Sequence, residues 1–249
     1  MKKKATTRPA KAAAKTEAAP SAPSRKGFFS LMKKLGASKG LLAALEKYDR
    51  AAFFDPIFRE RLFADESLPV GAGEYAETPS TLARMIGHAR LKKSARVLEG
   101  GTGSGYSTAI LSGLAHEVIS IEISGELAAA AKTRHERMRI RNTRFFAGDG
   151  TDPDEELGLF DAVIVWAACH ARPLILAAFL NEGGRLVFPM GPFHQQQIAV
   201  YTRDGAEAKT AFHEYCAFPP VRGRYGTDLL NRETVMANFS LEEEGKEEE

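Results

Sequence analysis

Residues that could bind a nucleoside are concentrated between positions 95 and 122. Glu99 ends a short apolar run and begins the pattern E-x-G-x-G-x-G, which places glycines at 101, 103 and 105. Glycine lets the backbone approach a ligand closely and adopt positive φ without a steric penalty. Glu122 ends the next apolar run, where its carboxylate can accept hydrogen bonds from both hydroxyls of a ribose. These residues therefore predict a nucleoside site built from bare backbone and one acid.

The glycine spacing argues against two common phosphate-binding motifs. A dinucleotide fingerprint requires G-x-G-x-x-G, but Tyr106 occupies the position of its third glycine. No Lys-Ser or Lys-Thr pair follows the glycines, as a P-loop requires. The absence of a cationic residue beside the turn favours a ligand without a pyrophosphate. The pattern resembles the first motif of class I S-adenosylmethionine (SAM) methyltransferases.

The elements around this turn read as a strand, a helix and a second strand, which is one βαβ unit. The nearly continuous apolar run 160–166 is typical of a central strand that is covered on both faces. Further strands are predicted at 143–146, 185–188, 198–201 and 211–218, the last two antiparallel near an edge. We therefore expect an α/β, doubly wound, mostly parallel seven-stranded sheet flanked by helices, with a helical N-terminal cap.

Composition divides the chain into four segments. We predict a disordered basic tail over 1–26, because that stretch has no large apolar side chain after Met1. A helical cap and substrate loop follow over 27–90, a SAM-binding domain over 91–227, and a C-terminal segment with an acidic disordered tail over 228–249. The basic tail either solubilises the protein or contacts acidic partners.

Charge and composition exclude several classes of protein. The chain has 249 residues and a net charge of +2, but residues 1–34 carry +9 and residues 241–249 carry −5. The remaining body carries −2, which argues against a nucleic-acid groove. Two cysteines and scattered histidines predict no metal site and favour a reducing compartment, so we expect a cytoplasmic protein. No apolar run approaches the roughly 20 residues needed to span a bilayer.

The order of motifs resembles the protein-L-isoaspartate (D-aspartate) O-methyltransferase family. The likeness extends from about Asp65 to Gly191, with fainter similarity near Val200 and at 218–221. It is carried by the following stretches: Leu98-Glu99, Gly101 to Tyr106, Ser120-Ile121-Glu122, Gly148-Asp149-Gly150, Phe160-Asp161-Ala162, Ala167-Ala168, Gly183 to Val187 and Pro189-Met190-Gly191.

The resemblance implies a set of cofactor contacts. It places Glu99, Gly101, Gly103 and Tyr106 beside the methionine part of SAM, and Glu122 on the ribose. Asp149 and Gly150 would lie against the adenine, with the carboxylate accepting from the exocyclic amine. The other cofactor positions that we expect are Thr102, Ser104, Ile123 and Ala167. The implied reaction is methyl transfer from SAM to the free carboxylate of an isoaspartyl residue in damaged proteins, which begins their repair.

One position departs from the family pattern. The family has a serine before its substrate-loop proline, whereas this chain has Glu77 and Thr78 before Pro79. We expect these two residues to be the catalytic positions. Glu77 could be protonated, point away from the site or cap the following helix, or Thr78 could replace the missing hydroxyl. Trp166 also stands where the family usually has a small residue.

Two other functions stay open because of Glu77. The chain could be a diverged SAM methyltransferase for another acceptor, such as a phenol or an amine, with Glu77 as a general base. It could also be a non-catalytic SAM-binding module that acts through its charged tails.

Overall fold

Helices and strands alternate along most of the chain. A computed structural model describes residues 23–192, 194–205 and 209–226. The helices are α1 (Arg25–Lys34), α2 (Lys39–Lys47), α3 (Pro79–Ala89), α4 (Tyr106–Ser112), α5 (Gly125–Arg137) and α6 (Leu174–Ala178). The strands are β1 (Pro69–Gly71), β2 (Glu74–Tyr75), β3 (Arg96–Gly100), β4 (Glu117–Glu122), β5 (Thr143–Ala147), β6 (Phe160–Val165), β7 (Leu180–Met190), β8 (Gln197–Thr202) and β9 (Lys209–Tyr215). Short 3-10 turns occupy Arg50–Ala52, Pro56–Arg61 and Glu155–Leu157.

Seven strands form one sheet in the order β5-β4-β3-β6-β7-β8-β9. Strands β3 to β7 pair in parallel, while β8 pairs antiparallel with both β7 and β9. This arrangement confirms the predicted mostly parallel, doubly wound sheet. The chain leaves β3 toward β4 on one side and later returns to β6 on the other. The switch point, where such sheets bind ligands, therefore lies between the carboxyl ends of β3 and β6.

The central strands are buried on both faces because neighbouring side chains point to opposite sides of the sheet. Val97 and Ala162 belong to a core shared with the N-terminal helices, whereas Leu98 and Val163 belong to a second core that includes Leu176 of α6. This two-sided burial explains why β3 and β6 read as continuous apolar runs.

The N-terminal cap is helical, as the sequence predicted. Phe28 and Met32 of α1 and Leu41 of α2 are at most 4% exposed and join the first core. The cap begins at Arg25, two residues before the predicted boundary, because the Ser24 hydroxyl accepts a hydrogen bond from Gly27 N at 3.1 Å. The predicted disorder of residues 1–22 and of the acidic segment 228–249 lies outside the described residues.

The expected loop before α3 contains a small hairpin. Strands β1 and β2 pair antiparallel, and Ala76 N donates to Leu68 O at 2.8 Å. The connection is tight, with positive φ at Gly71, Ala72 and Gly73. Strands this short have too few residues for an alternating pattern, so sequence periodicity could not reveal them. Across the described residues, no helix has both the length and the apolar character needed to cross a membrane.

Candidate active site

A cavity of about 510 Å³ opens at the switch point of the sheet. Its floor is formed by the ends of β3, β4 and β6, and its sides come from the β1–β2 hairpin and from a C-terminal segment, residues 218–226. The lining includes ten of the predicted site residues: Glu77, Gly101, Thr102, Gly103, Ser104, Tyr106, Glu122, Ile123, Gly150 and Ala167. The structure does not bring Thr78, Glu99 or Asp149 to the cavity wall.

The glycine turn after β3 depends on left-handed backbone at three positions. Gly101, Gly103 and Gly105 have φ of +93°, +52° and +81°. A Cβ at Gly105 would approach Ala131 Cβ to 3.0 Å. Both this close contact and the positive φ therefore disfavour any side chain at Gly105. The imidazole of His135 lies 2.9 Å from Gly105 O through Nε2. The turn is therefore held in shape from behind and presents bare backbone to the cavity.

Glu122 joins this turn to the start of α5. Its Oε2 accepts from Gly103 N at 2.9 Å, and its Oε1 accepts from Ser124 N at 3.0 Å. The residue is only 5% exposed, yet it lines the cavity. Each carboxylate oxygen accepts more than one hydrogen bond, so both oxygens retain capacity for ligand hydroxyls. This geometry fits the ribose role expected of Glu122.

Glu99 lies beneath the cavity and connects three strands. Its side chain is fully buried, with Oε2 accepting from the hydroxyls of Thr108 and Ser120 and Oε1 accepting from Trp166 Nε1 at 2.9 Å. Burial raises the pKa of Glu99, and these hydrogen bonds oppose that rise. Trp166 and Ser107, a further hydrogen-bond partner of Glu99, both line the cavity, so the acid acts on the cavity through these two residues. The bulky Trp166 is accounted for as a partner of Glu99.

Asp149 is bonded to protein groups. Its Oδ1 accepts from Thr151 N at 2.8 Å and from Thr151 Oγ1 at 2.7 Å, and its Oδ2 accepts from Arg224 N. Burial favours a higher pKa for Asp149, but these hydrogen bonds outweigh it and hold the pKa below its ordinary value. The carboxylate therefore fastens the C-terminal segment beside the cavity. Arg222 of that segment forms a salt bridge with Glu74 of β2, and both residues line the cavity.

Several known proteins are similar in sequence to this chain. The family model for protein-L-isoaspartate (D-aspartate) O-methyltransferase matches residues 24–226. Protein-L-isoaspartate O-methyltransferase 2 of Pelobacter propionicus is 38% identical over 188 residues, which cover 75% of this chain and 84% of that protein. The corresponding protein 1 of Anaeromyxobacter sp. is 44% identical over 152 residues, or 61% of this chain and 72% of that protein. The chain belongs to this family of methyltransferases.

Solved structures agree with this assignment. One protein-L-isoaspartate O-methyltransferase superposes with a TM-score of 0.74 at 26% identity, covering 86% of this chain and 70% of that one. A second similar fold is a Plasmodium falciparum protein in complex with S-adenosyl-L-homocysteine, with a TM-score of 0.68 and 22% identity, covering 79% of this chain and 97% of that one.

The two residues that replace the family's substrate-loop serine differ in their surroundings. Thr78 caps α3: its Oγ1 accepts from Thr81 N at 3.3 Å and bonds to the hydroxyls of Ser80 and Thr81. Glu77 instead lines the cavity, where burial raises its pKa to about 7. The nearby carboxyl of Glu99 also raises the pKa of Glu77. The backbone N–H of Glu77 and the Arg50 guanidinium lower it. Thr78, and not Glu77, is therefore the helix cap.

Arg50 is a buried residue that sequence reasoning missed. It lies in the 3-10 turn Arg50–Ala52 and is 3% exposed. Its guanidinium carbon is 5.2 Å from the ring centroid of Tyr106 and 4.9 Å from that of Phe54. Arg50 Nε, Arg50 Nη2 and the Tyr106 hydroxyl have no hydrogen-bond partner among the described residues. No motif connects Arg50 to the glycine turn, so only the fold reveals their proximity.

A histidine–acid cluster lies outside the cavity. Scattered histidines predicted no metal site, but the fold gathers His88 of α3 with His213 and Glu214 of β9, with ligand atoms within 4.8 Å of one another. His88 Nε2 is 3.0 Å from Glu214 Oε2, and Arg84 Nε is 3.9 Å from Glu214 Oε1. The Glu214 carboxylate is thus already paired with Arg84 and His88.

Replacing Glu99 with glutamine tests the role of this acid. An amide would face the hydroxyl and indole donors with an N–H group, so we expect Glu99→Gln to lower the free energy of unfolding by about 1–3 kcal/mol. Glu77→Gln is the matched control: it accepts no side-chain hydrogen bond and should not lower stability at pH 8. Urea unfolding of both variants measures the difference. Equal stability of Glu99→Gln and the wild type would contradict the role assigned to Glu99.

Proposed function

We propose that this protein transfers a methyl group from SAM to the free carboxylate of isoaspartyl residues in proteins. The observation that carries this proposal is the family match over residues 24–226, since it spans the whole described cavity. Family membership alone does not identify the methyl acceptor of this protein, because the substrate loop departs from the family pattern at Glu77. The acceptor is therefore inferred from the residues of the cavity.

The cavity fits SAM in size and in chemistry. A volume of about 510 Å³ lies within the usual range for small-molecule sites. Glu122 offers acceptors for the ribose, and the glycine turn leaves room that a Cβ would fill. We propose that the cofactor is held by Gly101, Thr102, Gly103, Ser104, Tyr106, Glu122, Ile123, Gly150 and Ala167. SAM supplies a methyl group on a positively charged sulfur, which makes that carbon electrophilic.

Glu99 and Asp149 receive supporting roles in this proposal. Glu99 holds Trp166 and the start of α4 in place beneath the ligand, through its bonds to the indole and to Thr108. Asp149 anchors the C-terminal segment through Arg224 N, which differs from the adenine contact implied by the family pattern. The adenine would then rest on Gly150 and Ile123, which do line the cavity.

The acceptor requires positioning more than acid–base chemistry. An isoaspartyl carboxylate is already ionised at neutral pH and is itself the nucleophile. The protein has to hold one carboxylate oxygen near the methyl group and exclude water from it. Correct placement of two reactants is by itself a large part of rate enhancement in such transfers. The Glu74–Arg222 salt bridge joins the two sides of the cavity and so helps to fix the space in which the acceptor is held. The adjacent backbone amide nitrogen of the substrate would then attack the methyl ester and expel methanol, and hydrolysis of the resulting succinimide returns some normal aspartate.

Glu77 determines when a carboxylate can enter. An ionised Glu77 about 4 Å from an acceptor carboxylate costs ~4 kcal/mol at an effective dielectric of about 20. A neutral Glu77 imposes no such cost and can donate a hydrogen bond. With a pKa of about 7, Glu77 exists in both forms at neutral pH. We therefore infer that the protonated form is the one compatible with an isoaspartyl acceptor.

The same residue favours one alternative. A carboxylate with a pKa of about 7 that lines the cavity is well suited to act as a general base. A phenol or amine acceptor would need such a base, whereas a carboxylate acceptor would not. The contact of residues 1–26 with acidic partners and the cytoplasmic location stay predictions from the sequence.

Methyl transfer from labelled SAM tests the proposed acceptor. We expect the label to pass to an isoaspartyl peptide and not to the matching aspartyl peptide, because only the former presents a free α-carboxylate within the chain. Peptide-bound label in base-labile form measures the ester. Equal labelling of the two peptides would contradict isoaspartyl specificity, and no labelling with SAM still bound would favour a non-catalytic module.

The pH dependence of that transfer separates the two acceptor classes. Burial raises the pKa of Glu77 to about 7, so raising the pH through 7 ionises it. For an isoaspartyl peptide we expect kcat/KM to fall over this range by about tenfold or more, and Glu77→Gln to abolish the fall. Glu77→Ser, which restores the family's hydroxyl, should also flatten the profile.

A rise in kcat/KM through pH 7 would instead identify Glu77 as a general base. In that case Glu77→Gln would lose activity at every pH. Glu126→Gln is a suitable control, because Glu126 is exposed in the first turn of α5 and does not line the cavity.

A further inference from the structure

The histidine–acid cluster at the edge of the sheet consists of metal-ligating side chains that the proposed function does not use. It joins His88 of α3 to His213 and Glu214 of the edge strand β9, and none of the three lines the cavity. The side chains of His88 and Glu214 are 23% and 44% exposed, so an ion from solvent can reach them. The potential ligand atoms all lie within 4.8 Å of one another. Three accessible groups that can each coordinate a metal therefore meet at one place.

A β-bulge in β9 is what brings two neighbouring residues to the same side. The pairing of β9 with β8 shifts by one residue here, so that His213 and Glu214 together lie opposite Ile198. Neighbouring side chains of a regular strand point to opposite faces of the sheet, which would separate these two. A bulge inserts one extra residue and re-aims a side chain. As a result His213 stacks on His88 with 4.0 Å between ring centroids, and Glu214 Oε2 lies 3.0 Å from His88 Nε2.

Two imidazoles and one carboxylate form a ligand set that favours Zn²⁺ and similar transition-metal ions. Zinc is bound in proteins by two histidines and one glutamate, with a fourth position left for water. Imidazole nitrogen suits Zn²⁺, Cu²⁺ and Ni²⁺, whereas Mg²⁺ and Ca²⁺ prefer oxygen ligands. Ligand atoms that lie about 2.1 Å from one tetrahedral ion are about 3.3 Å apart. The 3.0 Å between His88 Nε2 and Glu214 Oε2 is close to that spacing.

His213 has to rotate to complete such a site. Its ring is stacked on that of His88 at an interplanar angle of 29°. Nitrogen lone pairs lie in the ring planes, so two stacked rings cannot both aim at one ion. Rotation about χ2, a torsion with broad energy wells, takes the ring of His213 out of the stack. The gap to be closed is at most about 1.5 Å, the difference between 4.8 Å and the tetrahedral spacing.

Three arginines near the cluster limit its affinity for a cation. Arg84 Nε lies 3.9 Å from Glu214 Oε1, while Glu214 Oε2 faces His88. Protein groups commonly hold a ligating carboxylate in this way, so Arg84 orients Glu214 without occupying the oxygen that faces the site. Arg90 and Arg185 also act electrostatically on the second histidine of the cluster. Because these positive charges oppose the binding of a cation, we expect a dissociation constant in the micromolar range rather than below it.

We propose that His88, His213 and Glu214 bind a single transition-metal ion, with Zn²⁺ as the expected ion. The ion fastens the C-terminal end of α3 to the edge strand β9 and leaves one coordination position for water. This proposal goes beyond the proposed function and does not rest on it, because the cluster lies outside the cavity and takes no part in methyl transfer.

Calorimetric titration of ZnCl₂ into the untagged, chelator-treated protein tests the proposal. We expect one Zn²⁺ per chain and a rise in Tm that excess EDTA reverses, because an ion that binds only the folded state stabilises it. MgCl₂ should give neither effect. His88→Asn, His213→Asn and Glu214→Gln should each weaken Zn²⁺ binding by at least about tenfold, since loss of even an outer partner of a metal ligand costs about 10- to 100-fold. His116→Asn is the matched control, because His116 is exposed and lies outside the cluster.

Three results would overturn the proposal. The first is a wild-type protein that binds no Zn²⁺, and the second is a folded cluster variant that binds Zn²⁺ as tightly as the wild type. The third is equal binding of Mg²⁺ and Zn²⁺, which would indicate oxygen ligands such as the glutamates of 241–249. Urea unfolding in EDTA checks that each variant is folded. Glu214→Gln is nearly isosteric and changes an exposed side chain, so it decides the test even if a histidine variant unfolds.

Discussion

The buried carboxylate of Glu99 is the interaction on which the cavity depends. It lies on β3 and is bonded to Ser120 of β4, Thr108 of α4 and Trp166 after β6. These elements meet at the switch point, where β4 and β6 lie on opposite sides of β3. The carboxyl ends of these strands would be less firmly fixed there without a shared partner. A single acid with several donors fixes all of them, because leaving any one donor unpaired in the interior is costly. The glycine turn and Glu122 are held at fixed positions as a result.

The sheet and the residues that meet at its switch point were predictable from the sequence. Apolar runs at β3, β4 and β6 identify buried parallel strands, and the glycines at 101, 103 and 105 occupy positions where positive φ is required. Glu122 lies at the end of β4 and lines the cavity, because strand ends in parallel sheets converge at one edge. Such features follow from local backbone chemistry and from the periodicity of apolar residues, and both can be read from a single sequence.

Several contacts around the cavity could not be predicted, because they join distant parts of the chain. Arg50 reaches Tyr106 only through the packing of the N-terminal cap. Asp149 bonds to Arg224, a residue 75 positions away, and so anchors the C-terminal segment. Glu77 and Thr78 are adjacent, yet one faces the cavity and the other caps α3. A threonine before a proline is a local signal for the helix cap, but no local pattern connects Arg50 with Tyr106 or Asp149 with Arg224.

The most direct test is calorimetric titration of S-adenosylhomocysteine into the wild type, Glu122→Gln and Glu126→Gln. Glu122 accepts from Gly103 N and Ser124 N and faces the cavity, whereas Glu126 is exposed in the first turn of α5. The wild type and Glu126→Gln should bind with equal affinity, and Glu122→Gln should bind at least about tenfold more weakly. Absence of binding to the wild type, or equal binding by all three proteins, would contradict the location of the cofactor site.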